Sequence, residues 1–571
     1  MSGVLNRLCE LAIAPSQKEA FDSWLKAEDA IAFLTDNAQQ DEFVVYASIE
    51  HTFIHMIFVP ASLTNPPDID DLLSWDFNAT SSWGISYTFS EPPEVSISPP
   101  LDNTRSKTLH QGEQLVFARF FEGRMGNKNY FEVLQKLVHI FDLHFLPERN
   151  AYCRLDKHGD IEDVIRIVTI PVKGETGGGT IVLFKRQLLD EYMVLTESVI
   201  VRMFDFTRYR PSHFYGWSHT PDAKQITDVD LAYRSAIEPG NGSYTRGCQI
   251  VRPLMSKEAV IRRHGPTQEE DRQYASFIAH DWKNKIVREI SCAPGHTANY
   301  FTNSDLPFEL SPAFFRPEVL AKYKADSEKY RLGDGSISCR GAWHLETYDI
   351  NDAGQVHTYI VYLRRLPYEE QLYWKAHNER PKGPISNRAF TTDFEGRWDL
   401  EYDPLISLKH ALRELNRQQV PWWRLRAEKL LDQVHYPVTS SADEWANEIL
   451  QLDQLVVEGF EEKWLRQKAQ SLGREPDPKL RSLKLMEECL MALGFEEDHA
   501  RKITAPFHKV HYLRSKVKGH ASNEEATAIK QEVLTEYGSY KTHFRVLCGE
   551  CDESIQTITN ALLRNGTGVP V

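Results

Sequence analysis

The segment of this chain richest in side chains able to act on a phosphodiester is RKITAPFHKVHYLRSKVKGHAS, residues 501–522. It holds six Lys or Arg and three His without a single carboxylate. Such a run is conspicuous because the whole chain has 66 Lys+Arg against 81 Asp+Glu and a formal charge of -15. Long-range attraction of the entire molecule to polyanions is thereby excluded, and any nucleic-acid site must be a local basic patch.

Within this run, Phe507, His511, Arg514 and Lys518 recur at three- and four-residue steps, so they share one ridge of a helix. Thr504 and Pro506 read as a helix start, because Pro at a first-turn position forfeits no hydrogen bond. Gly519 reads as the stop. Ser522 and Glu525 have capping-box spacing and open a second helix, which puts His520 in the corner between the two. Arg514, one turn before that corner, and His520 can then face one ligand.

A guanidinium keeps its charge and can grip two phosphate oxygens, while imidazole exchanges a proton near neutrality. Together they suffice for RNA cleavage without a metal. The 2′-oxygen would attack its own phosphate, Arg514 would stabilise the phosphorane, His520 would act as general acid or base, and a 2′,3′-cyclic end would result. Lys509, His511, Lys516 and Lys518 are the accompanying candidates for holding RNA. A rival reading from another class is a non-catalytic interaction protein, in which the same stretch binds nucleic acid or an acidic partner and the helices mediate dimerisation.

The elements that must position these groups are helical. From about residue 400 the strand signal stops, and helices are expected at 405–417, 421–433, 441–471, 479–493, 496–503, 505–518, 523–537 and 540–563. Before that point the chain reads as mixed. A helical stretch at 5–35 precedes paired strands at 43–48 and 52–59, then a strand at 114–121, a helix at 129–145, and strands at 163–172, 180–185, 199–206, 245–251, 342–348 and 356–363. The fold class is therefore α+β: an N-terminal portion of two lobes, 1–125 and 126–400, followed by an all-α bundle, 401–571. A length of 571 residues suits such a division.

LRSKVKGHA, an Arg separated by five residues from a His late in a small bundle, resembles the Arg-x(4 to 6)-His signature of the HEPN superfamily. The resemblance covers roughly residues 440–565. It implies a helical domain whose protomers pair to bring two Arg-His sets into one cleft, hence a homodimer. It further implies a metal-independent ribonuclease of toxin or phage-defence type, or a binding domain of the same fold, with the N-terminal portion sensing a phage or host trigger. Catalytic members often carry Asn, Asp or His directly after the Arg, where this chain has Ser515. Three strings of the central region, FFRPEVL, LPYEEQLYWKAHNE and ISNRAFTTDFEG, resemble prokaryotic sequences and imply no mechanism.

Other motifs point to structure rather than chemistry. GETGGGT at 174–180 lacks the Lys-Ser/Thr end of a phosphate-binding loop and reads as a hairpin. Cys548 and Cys551 form a lone CxxC within a helix, where small thiols are readily buried. His139, Asp142 and His144 have a spacing poor for metal binding, and neither HExxH nor GxSxG occurs. Residues 364–388 interleave cations with Tyr368, Tyr373 and Trp374, but the expected role is an amphipathic helix packed between domains rather than base stacking. No metal or cofactor is expected. Eight dispersed cysteines read as reduced thiols, and with no apolar segment of membrane-spanning length the expectation is a cytoplasmic protein without membrane contact.

Overall fold

A computed structural model of the chain describes residues 3–76, 83–101, 105–121, 128–170, 179–210, 214–218, 222–265, 272–333, 335–397, 402–518 and 523–564. The architecture is α+β, with sheets in the N-terminal part and helices towards the C-terminus. The chain divides into two units, 1–156 with 161–271 and 157–160 with 272–571.

The first unit is organised by an antiparallel sheet. From one edge its order is Lys224–Thr227, Leu231–Glu238, Gly242–Val251, Ser198–Tyr209, Thr52–Pro60, Glu42–Ile49, Gly179–Lys185, Ile161–Ile170, Ala151–Leu155 and His144–Leu146, with Glu113–Gln114 also pairing Thr52–Pro60. The central strands are apolar on both faces because both are covered. One core gathers Leu8, Phe33, Phe43, Phe58 and Tyr192, and a second gathers Ile57, Leu72, Val201 and Met203. Pairing of Glu42–Ile49 with Gly179–Lys185, and of Thr52–Pro60 with Ser198–Tyr209, joins segments on either side of residue 125. The division expected there is thus bridged by one sheet, since a strand's own residues do not specify a distant partner.

Two local expectations give way in this unit. The helix expected at 129–145 is the strand Lys128–Val133, paired with Val116–Phe121, followed by the short helix Gln135–Ile140. Apolar spacing in a short run suits either period, and pairing decides. The 5–35 stretch is three helices, Gly3–Ala12, Lys18–Trp24 and Glu28–Asn37, with Ala27 left-handed at the last break.

The second unit opens on a sheet ordered Ile286–Ser291, Ser276–Asp281, Pro312–Phe315, Val356–Tyr359 and Asp349–Ile350, with Asn378–Glu379 also pairing Pro312–Phe315. The helical region belongs to this same unit. Lys324 crosses residue 400 to meet Glu444 at 2.7 Å and Glu448 at 3.2 Å. Val356–Tyr359 is a strand, but the following residues turn helical at Ile360–Leu363.

In the C-terminal region Pro404–Arg417, Ser482–Ala492, Asn523–Tyr537 and Tyr540–Arg564 lie where periodicity places them. The segments expected as helices at 496–503 and 505–518 are one helix, Glu497–Val517, with Pro506 inside it. Its apolar stripe, Ala500, Ile503, Phe507, Val510 and Leu513, runs unbroken past the proline and is buried along its length. Burying several large side chains at about 1.5–3 kcal/mol each outweighs the roughly 3 kcal/mol that an interior proline costs.

The expected 441–471 helix is interrupted, giving Ala442–Val456 and Glu462–Ser471, and the expected 421–433 helix is helical only at Leu430–Gln433. The two departures have one cause. The backbone at Trp422–Arg424 pairs with the break, through Arg424 N to Gly459 O at 2.8 Å and Glu461 N to Trp422 O at 3.0 Å. Trp423 is buried and donates its indole N–H to Val456 O at 3.0 Å. A Cβ on Gly459 would lie 2.3 Å from that indole nitrogen. Gly459→Ala is therefore expected to destabilise the protein by about 1–3 kcal/mol, as overpacked sites do. Urea denaturation measures this, and an unchanged midpoint would mean the indole can yield.

No helix among the described residues is long and apolar enough to cross a membrane.

Candidate functional site

The Ala442–Val456 helix starts on Ser441, whose hydroxyl accepts the Glu444 backbone N–H at 3.3 Å, and buries Trp445, Ile449, Leu452 and Val456. Asp453 lies on this inward side and is wholly buried. Its carboxylate is met by two side chains of the basic Glu497–Val517 helix, which packs against it. Arg514 Nη1 donates to Asp453 Oδ2 at 2.9 Å, and His511 Nδ1 lies 3.1 Å from Asp453 Oδ1. Glu458, just beyond the helix end, places Oε1 3.1 Å from the same Arg514 Nη1.

The electrostatics follow from burial. Desolvation raises the Asp453 pKa above its ordinary value, opposed by His511 and Arg514 and reinforced by Glu458. Both carboxylates contact Nη1, so the Nε and Nη2 edge of Arg514 carries no further hydrogen bond among the described residues. The Arg514 side chain is 33% exposed and that of His511 54%, against 0% for Asp453. A rigid buried anion therefore holds two groups that reach water, one cationic and one titratable.

A second carboxylate–histidine pair sits one turn earlier. Glu487, on the Ser482–Ala492 helix and nearly buried, takes hydrogen bonds from Thr504 Oγ1 at 2.9 Å and Lys484 Nζ at 2.8 Å, with His508 Nε2 at 3.0 Å. Attraction from Lys484 and these hydrogen bonds outweigh desolvation and hold its carboxyl below the usual range.

The other sequence candidates scatter. Lys509 turns towards the last two helices, 3.7 Å from Glu550 and 3.4 Å from the Tyr537 hydroxyl. Lys516 pairs with Glu525 at 2.5 Å. Lys518 is exposed at the helix end. Of the proposed RNA-holding set, only His511 shares a partner with Arg514. His520 and the Ser522 end of the expected capping box lie outside the described residues.

Asp453 and Glu487 went unread in the sequence, although a signal exists. Each is a carboxylate on the apolar stripe of an amphipathic helix, Asp453 in step with Ile449 and Val456, Glu487 in step with Leu483 and Leu490. A buried acid demands a cationic or hydrogen-bonding partner.

Elsewhere, Cys548 and Cys551 are fully buried, which pushes both thiols up and suits packing. His144 Nε2 lies 3.4 Å from Asp142 at an exposed site, and no group of three or more metal-ligating side chains occurs among the described residues. In the 364–388 stretch Trp374 is buried, Arg364 bonds Cys292 O and Thr297 Oγ1, and Arg388 pairs with Asp349. Those aromatic and cationic groups are occupied in packing. Of the 174–180 loop only Gly179 and Thr180 are described, in a strand. Compared with protein-family models, curated proteins and solved structures, the chain has no match.

Proposed function

We propose that the C-terminal helical region cleaves RNA by metal-independent transesterification, as a HEPN-like domain in a protein of toxin or phage-defence type. The observation carrying this reading is the Arg514 guanidinium, fixed through one nitrogen to buried Asp453 while its Nε and Nη2 carry no hydrogen bond among the described residues. That edge can donate two parallel hydrogen bonds to a phosphate and stabilise the charge that builds on the phosphorane. His520, six positions on, supplies the acid or base. The reaction places the 2′-oxygen on phosphorus and expels the 5′-oxygen, leaving a 2′,3′-cyclic phosphate.

A homodimer with paired sites, a trigger received by the N-terminal portion and a cytoplasmic location complete this reading. Its test is incubation of end-labelled RNA with the full chain in EDTA. Fragments with 2′,3′-cyclic ends, lost in His520→Ala, are the expected result.

The second reading, non-catalytic binding of nucleic acid or dimerisation, draws on the ion pairs at Lys509 and Lys516, which leave less free charge for steering a substrate. Equal RNA retention by both proteins with no fragments would favour it.

A further inference from the structure

Resting on that nuclease reading, we propose that His511 is the general base of the reaction, held and oriented by Asp453. Asp453 faces it across the helix interface, Arg514 and His508 stand one turn on and one turn back along its own helix, the latter directed to Glu487, and Glu458 meets the same Arg514. Three features of the site act together. Asp453 is fully buried, so its carboxylate is an immobile acceptor. His511 presents Nδ1 to it at 3.1 Å while most of the ring stays in water. The second oxygen of the same carboxylate holds Arg514.

The contact through Nδ1 selects the tautomer. A carboxylate accepts only, so the neutral ring must carry its hydrogen on Nδ1, and Nε2 is left as a bare acceptor. That arrangement is the one a general base requires. When Nε2 takes a proton, the resulting imidazolium is stabilised by the carboxylate at its back. The phosphate-holding role that its place in the basic run suggests for His511 would need the ring already charged.

The step balances without a co-reactant. Nε2 of His511 removes the proton of the 2′-hydroxyl, the 2′-oxygen forms a bond to phosphorus, and the P–O5′ bond breaks. O5′ takes its proton from His520, whose role under the proposed function is then that of the acid, and the His511 imidazolium later returns its own proton to solvent. Arg514 acts on the non-bridging oxygens. Anchoring both groups to one carboxylate fixes the base and the electrophile relative to each other, which is the positioning that converts an encounter into a near-attack geometry.

The test uses the full chain and a dinucleotide phosphodiester as well as RNA. His511→Ala removes an exposed ring and leaves Asp453 paired with Arg514, so folding is expected to persist. The expected results are a fall in kcat of about 10²-fold, loss of the rise in rate on the acid side of the pH profile, and at least partial recovery on adding free imidazole. Arg514→Ala should show no imidazole recovery. Cleavage by His511→Ala at the unsubstituted rate, or with an unaltered pH profile and no response to imidazole, overturns this inference while leaving the nuclease reading in place. No cleavage by the unsubstituted chain overturns both.

Discussion

In the proposed nuclease, Arg514→Ala is expected to reduce kcat for RNA cleavage by about 10²- to 10³-fold, the usual consequence of removing one donor that stabilises transition-state charge. A stability loss should accompany it. Asp453 is entirely buried, and without Arg514 its only described side-chain partner is His511. Truncating one member of a buried pair strands the other, at up to about 3–5 kcal/mol where both are desolvated. Arg514 is a third exposed, and His511 remains, so about 1–3 kcal/mol is the more suitable expectation. Arg514→Lys separates the two effects, because it retains a charge for Asp453 but not the planar pair of donors. Its denaturation midpoint should return towards that of the unsubstituted chain while its single-turnover rate stays low. Equal rates for the Lys variant and the original would remove guanidinium geometry from the mechanism.

The second large effect concerns acid. His543 is buried on the last helix, accepts the indole N–H of Trp445 on Nδ1 at 3.2 Å, and packs edge-on against Tyr537. Burial, and secondarily the charge of Lys509, pushes its pKa down from 6.5 to about 4. In the unfolded chain the ring would titrate at its ordinary value. Between roughly pH 6.5 and 4 the unfolded state therefore binds more protons, and folding stability falls as the pH is lowered. The accumulated loss is on the order of 3 kcal/mol by pH 4, at about 1.36 kcal/mol for each pH unit of displacement.

His543→Asn keeps an acceptor for Trp445 and removes the titration. Urea midpoints at several pH values should show the variant losing less stability than the original chain across that interval. A constant difference between the two at every pH would assign the acid sensitivity elsewhere, for which His435 and His357, lowered to about 3 and about 4 by burial, are available. Asp453 has the opposite sign: its raised pKa makes its ionisation a cost that grows as pH rises through the folded value.

The degree to which these features could be read in advance varies with their range along the chain. The helices at Asn523–Tyr537 and Tyr540–Arg564 follow from periodicity and bounding residues, because an amphipathic stripe is a local property. Pro506 misleads for a related reason. Propensity is also local, whereas the burial of Phe507, Val510 and Leu513 against other helices is not. Similarly, Trp422 and Trp423 suit a helix by residue type and are drawn out of one by backbone pairing with the turn at Gly459. At the site, Arg514 and His511 were conspicuous by charge and spacing. Asp453, 61 residues from Arg514, was hidden among apolar neighbours.

By itself, the amino-acid sequence determined the α+β class, the helical character of the last third, and the gathering of cations on one helix, all consequences of residue type at short spacing. Tertiary structure alone decided that one sheet spans both sides of residue 125, and that Lys509 and Lys516 are paired while Nε and Nη2 of Arg514 carry no hydrogen bond among the described residues. It also decided that His511 has a buried carboxylate behind it. The physical reason is common to all of these. Hydrogen bonds between strands and ion pairs between helices depend on which distant surfaces meet, and that meeting is set by how the whole chain buries its apolar area rather than by any stretch of it.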